Sequence, residues 1–266
     1  MAQTPVPGGW TMPVEPGPPE FLPILDLPAP GRQRRLTVLF RWLLLVPQLI
    51  VLWVLSVGAV VAVVIGWFAA LFTAQLPGPI ARYLVHYVGY DSRVMASATL
   101  LVDRYPPFSL RPRPDYPVQV ELRPGRLNRA AVFFRLVLLI PAAVINSLLG
   151  SGWFVLAFFL WLWVLVTGRL PRPVFEATAA FVRYRMRFGA YALLVTSAYP
   201  KGLFGEEPPV PGGELPASAS RPLVLGTWGK VLLVAFLVLG LAADLTNEYV
   251  NTDGHTSSDT TNTAPR

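Results

Sequence analysis

The chain has no cysteine, which excludes disulfides, thiolate nucleophiles and Cys-ligated zinc or iron–sulfur centres. Its two histidines, His86 and His255, fall in a mixed helical segment and in the C-terminal tail. A histidine metal site would need ligands that the sequence does not supply. Charge is scarce as well, at 14% of the 266 residues, where soluble domains carry about 25%. From Trp42 to Ala81 and from Leu136 to Gly168 there is no charged residue at all. A proton-coupled or cation-coupled carrier ordinarily keeps a carboxylate inside such runs. With no catalytic, metal-binding or nucleotide-binding constellation, neither a cofactor nor enzymatic activity is expected. Asp91, Asp103 and His86 are the only residual candidates for acid–base chemistry.

What the chain does have is apolar surface: 53% of its residues are hydrophobic and its mean hydropathy is +0.50. This composition describes an integral membrane protein. The net charge of +7 comes largely from arginines flanking the apolar runs, where they orient a membrane protein, and no nucleic-acid partner is expected.

The sequence is a tandem duplication. Arg35 aligns with Arg129 and the offset of 94 residues (129 − 35) then holds without a gap. Val38, Phe40, Arg41 and Pro47 match Val132, Phe134, Arg135 and Pro141; Trp67, Thr73 and Pro77 match Trp161, Thr167 and Pro171; Tyr90, Arg93 and Tyr105 match Tyr184, Arg187 and Tyr199. A search for repeats of this kind precedes any assignment of elements.

Each apolar run of 33 to 40 residues would make a straight helix roughly 50 to 60 Å long, against a hydrocarbon core of about 30 Å. The turn formers Asn146, Ser147, Gly150, Ser151 and Gly152, and more weakly Ser56 and Gly58, predict that each run folds into a helical hairpin, 36–55 with 58–74 and 130–146 with 152–169. Arginines at both ends of both runs support an even number of crossings per copy. The alternatives are one long kinked helix per copy or a re-entrant hairpin. The segments Pro79 to Tyr105 and Pro173 to Tyr199 read as amphipathic interfacial helices, or as cytoplasmic helices packed beneath the hairpins. Ile24 to Leu27 and Val118 to Leu122 suit two short strands.

The expected architecture is therefore an all-α integral membrane protein with two tandem helical-hairpin repeats, an interfacial helix after each, and one C-terminal transmembrane helix. Its parts are a Pro/Gly-rich disordered arm (1–22), repeat 1 (23–110), a linker (111–116), repeat 2 (117–201), a second linker (202–221), the last span (222–245) and a polar tail (246–266). The arginine distribution places the N-terminus in the cytoplasm and the tail outside.

Arg35 with Arg41, Arg129 with Arg135, and the group Arg183, Arg185 and Arg187 are candidate contacts for anionic lipid headgroups. Anchoring of helix ends is the plainer reading of the first four. Gly58, Ala62, Gly66 and Ala70 recur every four residues, a small-residue stripe suited to close helix packing, here expected against the bulky stretch Leu156 to Leu160 of the second hairpin. Pro47 and Pro141 free the carbonyls four residues earlier, marking a kink or a binding site. Trp67 and Trp161 sit where interface aromatics are common.

The residues FRWLLLVP, LFTAQLP and DRYPPF (Asp103 to Phe108) of the first copy, and FRLVLLIP, LVTGRLP and SAYPKG of the second, resemble a bacterial membrane domain of unknown function that often occurs as a tandem pair. The resemblance spans Pro23 to Tyr199 and implies residence in the bacterial inner membrane, with no established activity. Where that family usually has histidine after the head proline, this chain has Gln48 and Ala142, and the second copy lacks PPF. No role of that histidine carries over. The expected function is a non-enzymatic membrane scaffold or accessory protein that binds the bilayer through anionic lipids, with other membrane proteins as further partners. The alternative is a small transporter or channel enclosed by two parallel repeats.

Overall fold

A computed structural model describes residues 21–206, 218 and 220–248, with the helix backbone continuing to Asp259. The arm through residue 20, most of the second linker and residues 260–266 lie outside the described residues. Each repeat contributes the same series: a short strand, a five-residue helix, a very long helix and a returning helix. In repeat 1 these are β1 (Ile24–Asp26), α1 (Arg35–Leu39), α2 (Arg41–Thr73) and α3 (Gly78–Ala98). In repeat 2 they are β2 (Gln119–Glu121), α4 (Arg129–Phe133), α5 (Arg135–Thr167) and α6 (Arg172–Ala192), and α7 (Thr227–Asp259) follows. The two strands form where the sequence suggests, and they pair antiparallel with each other, Leu25 opposite Val120.

The hairpins are corrected: α2 and α5 are each one continuous helix of 33 residues. The turn formers fail to break them because an apolar helix has no other partner for the backbone groups that a turn would release. Ser56 bonds back to the carbonyl of Trp53 at 2.7 Å. Gly152 instead admits the backbone of Phe236 from α7, while Gly240 admits the backbone of Leu148; a Cβ at either position would collide with main chain, so these glycines serve close packing. The helices end at Thr73 and Thr167, capped by Ala74 (φ 56°) and Gly168 (φ 72°) in the left-handed region, and prolines in the first turn start α3 and α6. The α7 backbone continues as helix to Asp259, into the polar tail. By length and composition α2, α5 and Thr227–Glu248 could each cross a membrane. These three helices mark a membrane protein.

The contacts between repeats come in reciprocal pairs. Trp67 Nε1 donates to the Val132 carbonyl at 3.0 Å, and Trp161 Nε1 donates to the Val38 carbonyl at 2.8 Å. Leu127 N donates to the Ala74 carbonyl at 2.9 Å, and Gln33 N to the Gly168 carbonyl at 2.8 Å. Each pair is related by the 94-residue offset. The head of each long helix thus sits beside the tail of the other, so α2 and α5 run antiparallel and the repeats obey a pseudo-twofold axis. Near the axis, Asp91 on α3 meets Arg185 on α6 at 3.6 Å; these two positions are each other's counterparts under the offset, and duplication has let them take opposite charges.

The fold is layered. α2 packs on α3, α5 on α6 and α7, and α3 meets α6 at the centre; β1, β2 and the loops cover α3 and α6 on the far side. The predicted interface between the small-residue stripe and Leu156 to Leu160 is corrected as well. Gly58 faces the Tyr83 hydroxyl, where a Cβ would come within 2.6 Å, and Gly66 faces Leu76 and Ile80. These belong to the same repeat. Ala70 does reach the other copy, but through Leu127, Val132 and Leu194 rather than the bulky stretch of α5.

Candidate functional site

The conserved offset lets each buried arginine be compared with its twin. Arg41, at the first position of α2, is 4% exposed. It donates to the carbonyls of Ser97 (2.7 Å) and Val102 (2.8 Å), to Gln33 Oε1 (3.0 Å) and to Asp103 Oδ1 (3.0 Å). Arg135 does the same in repeat 2, donating through Nε and Nη2 to the Tyr191 carbonyl and at 2.6 Å to that of Thr196. Each guanidinium bonds one carbonyl in the last turn of its returning helix, Ser97 or Tyr191, and one in the loop beyond it, Val102 or Thr196. The headgroup role expected of Arg41 and Arg135 is therefore corrected: their donors are turned inward.

The same correction applies to the arginines of α6, which is no basic surface helix. Arg183, 2% exposed, donates to Glu206 Oε1 at 2.8 Å, to the Leu25 carbonyl at 3.2 Å and to the Ser220 carbonyl. Burial pushes its pKa down to about 10, against the opposing pull of Glu206. Arg187 donates to the carbonyls of Pro23 (3.0 Å) and Lys201 (2.7 Å) and to Glu206 Oε1 (2.9 Å). Arg185 is taken up by Asp91, whose carboxyl is pushed up by burial in spite of that partner. Only Arg35 and Arg129 of the seven candidates remain exposed, and Arg35 reaches the Val166 carbonyl at 3.1 Å.

Around Arg41 a cavity of about 470 Å³ opens, lined by Arg34, Thr37, Leu44, Leu45, Ser97, Asp103, Arg104 and Tyr105. Its floor is polar. Asp103 accepts from Thr37 Oγ1 (2.6 Å), from the Arg34 amide (3.3 Å) and from Arg41, which fixes the carboxylate within the fold. Leu44 and Leu45 supply an apolar wall continuous with the face of α2. Three arginines against one carboxylate leave the lining net positive. Arg34 and Arg104 supply the accessible charge; Arg104 also reaches the Asp115 carbonyl at 2.6 Å and pairs with the Asp115 carboxylate at 3.4 Å.

The DRYPPF segment shapes this site. Gln48, fully buried, donates to the Pro106 carbonyl at 2.7 Å and accepts from the Tyr90 hydroxyl. The residue standing where the family histidine would be therefore ties α2, α3 and the DRYPPF loop together. Repeat 2 keeps the counterparts of both partners, Tyr184 and Pro200, but has Ala142 in place of Gln48, and the Ala142 carbonyl receives the Tyr184 hydroxyl at 3.4 Å.

The second copy lines the corresponding place differently. Thr37, Asp103, Arg104 and Ser97 correspond to Ala131, Ser197, Ala198 and Tyr191. The Tyr191 ring lies 3.6 Å from the Arg135 guanidinium carbon and stacks edge-on against Tyr199. Sequence reasoning singled out Arg41 and missed the cavity, although the changes at Ser97 and Asp103 were visible in the alignment of the copies. Asp91, Asp103 and His86 are not gathered into one site. Asp103 serves the head of α2, Asp91 faces α6, and His86 borders a small pocket against β2 beside Arg93, where burial and the nearby arginines hold its pKa below the usual value.

A family model described as a domain of unknown function (DUF4389) matches residues 35–109 and, a second time, 129–203. The chain belongs to that family. Both matched stretches begin at the arginine opening the short head helix and run through the returning helix, so one DUF4389 unit is a head, a long helix and its return. The cavity lies within the first unit. No curated protein and no solved structure matches the chain.

Proposed function

We propose that this DUF4389 protein is a non-enzymatic scaffold of the bacterial inner membrane that holds one anionic lipid in the cavity of its first repeat. The observation that carries the reading is the juxtaposition in that cavity of accessible Arg34 and Arg104 with the apolar wall of Leu44 and Leu45. A phosphate-bearing headgroup fits the first part and the start of an acyl chain fits the second. The positive lining favours anionic over zwitterionic lipid. Exposed Arg35 and Arg129 add charge at the helix heads, and the Pro-rich arm offers a contact for other membrane proteins. A transporter or channel along the repeat interface has less support, because α3 and α6 meet there directly through Asp91 and Arg185.

The test is lipid retention in nanodiscs containing equal anionic and zwitterionic lipid. Each basic residue near a headgroup contributes about 1 kcal/mol, so Arg34→Gln with Arg104→Gln should weaken retention of anionic lipid roughly thirty-fold. Retention equal to wild type would overturn the site.

A further inference from the structure

We propose that α2 and α5 lie flat within one leaflet of the bilayer and do not cross it, so that the acyl region of a single leaflet is the partner of their exposed apolar faces. Three observations converge on this disposition.

The first is symmetry. Antiparallel helices related by a twofold axis can cross a membrane only if that axis lies in its midplane. Asp91 and Arg185 lie near the axis, and so does the β1–β2 pair, with partly exposed Glu121 bonded to Arg123 and to Arg221. Crossing helices would hold these groups at mid-depth of the hydrocarbon, where ionised side chains are rare and irregular backbone survives only when protein or water surrounds it. With the axis along the bilayer normal, the same groups stand farthest from the lipid.

The second is the course of the linker. At one end of α2, the Val102 carbonyl accepts from Arg41; at the other, Leu127 N donates to the Ala74 carbonyl. The chain between Val102 and Leu127 therefore runs the length of α2, and it carries Arg104, Asp115 and Arg123 with side chains 58%, 64% and 66% exposed. A crossing α2 would drag this irregular, charged strap through the bilayer.

The third is length. Exposed apolar residues continue along α2 from Trp42 to Phe72 and along α5 from Leu136 to Val166. A helix of 33 residues is about 50 Å long and would need a tilt of roughly 50° to fit a core of about 30 Å, beyond the range of about 40° that crossing helices adopt. Lying flat, it meets no such limit. The residues of α2 turned away from lipid, Leu45, Gln48, Ala59, Gly66 and Ala70, form the opposite stripe, as in an in-plane helix. α7 packs along α5 and shares its disposition, which departs from the expected placement of the tail outside.

Single-cysteine variants of the full-length chain, which has no native cysteine, provide the test at exposed sites. Gln75 and Arg126 mark one end of the long helices, Arg32 and Arg169 the other. In sealed vesicles, a membrane-impermeant maleimide should label all four from the same side. Spin labels at Leu43, Val54 and Val64 should report one common depth, within about 10 Å of the headgroup boundary. Labelling of the two ends from opposite sides, or depths that sweep through the bilayer centre, would overturn the proposal. So would spin labels shielded from lipid altogether, because a protein partner would then cover the face. None of these readouts depends on occupancy of the cavity at Arg41.

Discussion

The two repeats keep one frame and fill it differently. Two kinds of contact between them are reciprocal, the tryptophan to the facing head helix and the amide to the facing helix end, and within each repeat an arginine ties the head of the long helix to the end of its own returning helix. What sits between these shared contacts has diverged. Repeat 1 leaves an open, positively lined cavity beneath Arg41, and repeat 2 sets Tyr191 against Arg135 at the corresponding place. Repeat 2 in turn has Arg183 where repeat 1 has Gly89, and that arginine binds the approach to β1 and the second linker onto α6. One copy specialises in holding the chain together; the other keeps room for a ligand.

The largest effect should come from erasing the structural speciality of repeat 2. Arg183→Met leaves two buried carbonyls without this donor, while Glu206, 36% exposed, keeps Arg187; a buried polar group left unsatisfied costs about 1 to 3 kcal/mol. Thermal unfolding in detergent should fall well below wild type. Arg93→Met, whose guanidinium bonds backbone carbonyls at 2.5 Å (Ser109) and 3.2 Å (Arg111), should cost less because those bonds join neighbouring segments of one repeat and include no carboxylate. Equal losses would erase this half of the comparison.

Closing the cavity comes next. Ser97→Tyr makes repeat 1 resemble repeat 2 at the position of Tyr191, and should lower anionic lipid retention tenfold or more, about 1.4 kcal/mol, with little change in unfolding temperature.

The shared frame makes a different demand. Trp67→Phe and Trp161→Phe each delete one hydrogen bond to a head-helix carbonyl, worth about 1 kcal/mol. Because the two contacts are reciprocal, the losses should agree closely. A large loss at one and none at the other would break the pseudo-twofold account.

The smallest effect concerns pH. Hydrogen bonds from Arg123, with the charge of Arg221 adding to them, hold the Glu121 carboxyl below its usual pKa. The stability it contributes is therefore present above the unfolded value of about 4.3 and is lost as pH falls through the lower folded value. The group is a third exposed, so the effect is small and screened by salt. Glu121→Gln should flatten the acid limb of a stability profile measured at low ionic strength.

Much of the frame was legible in the sequence because duplication prints it twice. The offset located both apolar runs, though not that each is one helix, together with both returning segments and both strands, and it marked Trp67, Trp161, Arg41 and Arg135 as matched positions. Their partners were not legible. Arg183 and Arg187 read as a surface charge cluster because their acceptors are main-chain carbonyls of Pro23, Leu25 and Ser220, which carry no signature in residue type. The turn at Asn146 to Gly152 was misread for a related reason: glycine favours turns and tight helix contacts alike, and only the presence of Phe236 distinguishes the two. Antiparallel repeats escaped notice because positive charge at both ends of an apolar run fits two crossings and fits an in-plane helix equally well.

The central claim is that duplication left one lipid site where the frame offers two. Native mass spectrometry of the intact protein, released from nanodiscs of mixed anionic and zwitterionic lipid, measures the number directly. The account predicts one tightly retained anionic lipid per chain in the wild type and none in Ser97→Tyr. Two retained lipids per chain, or one that survives the Ser97→Tyr substitution, would contradict it.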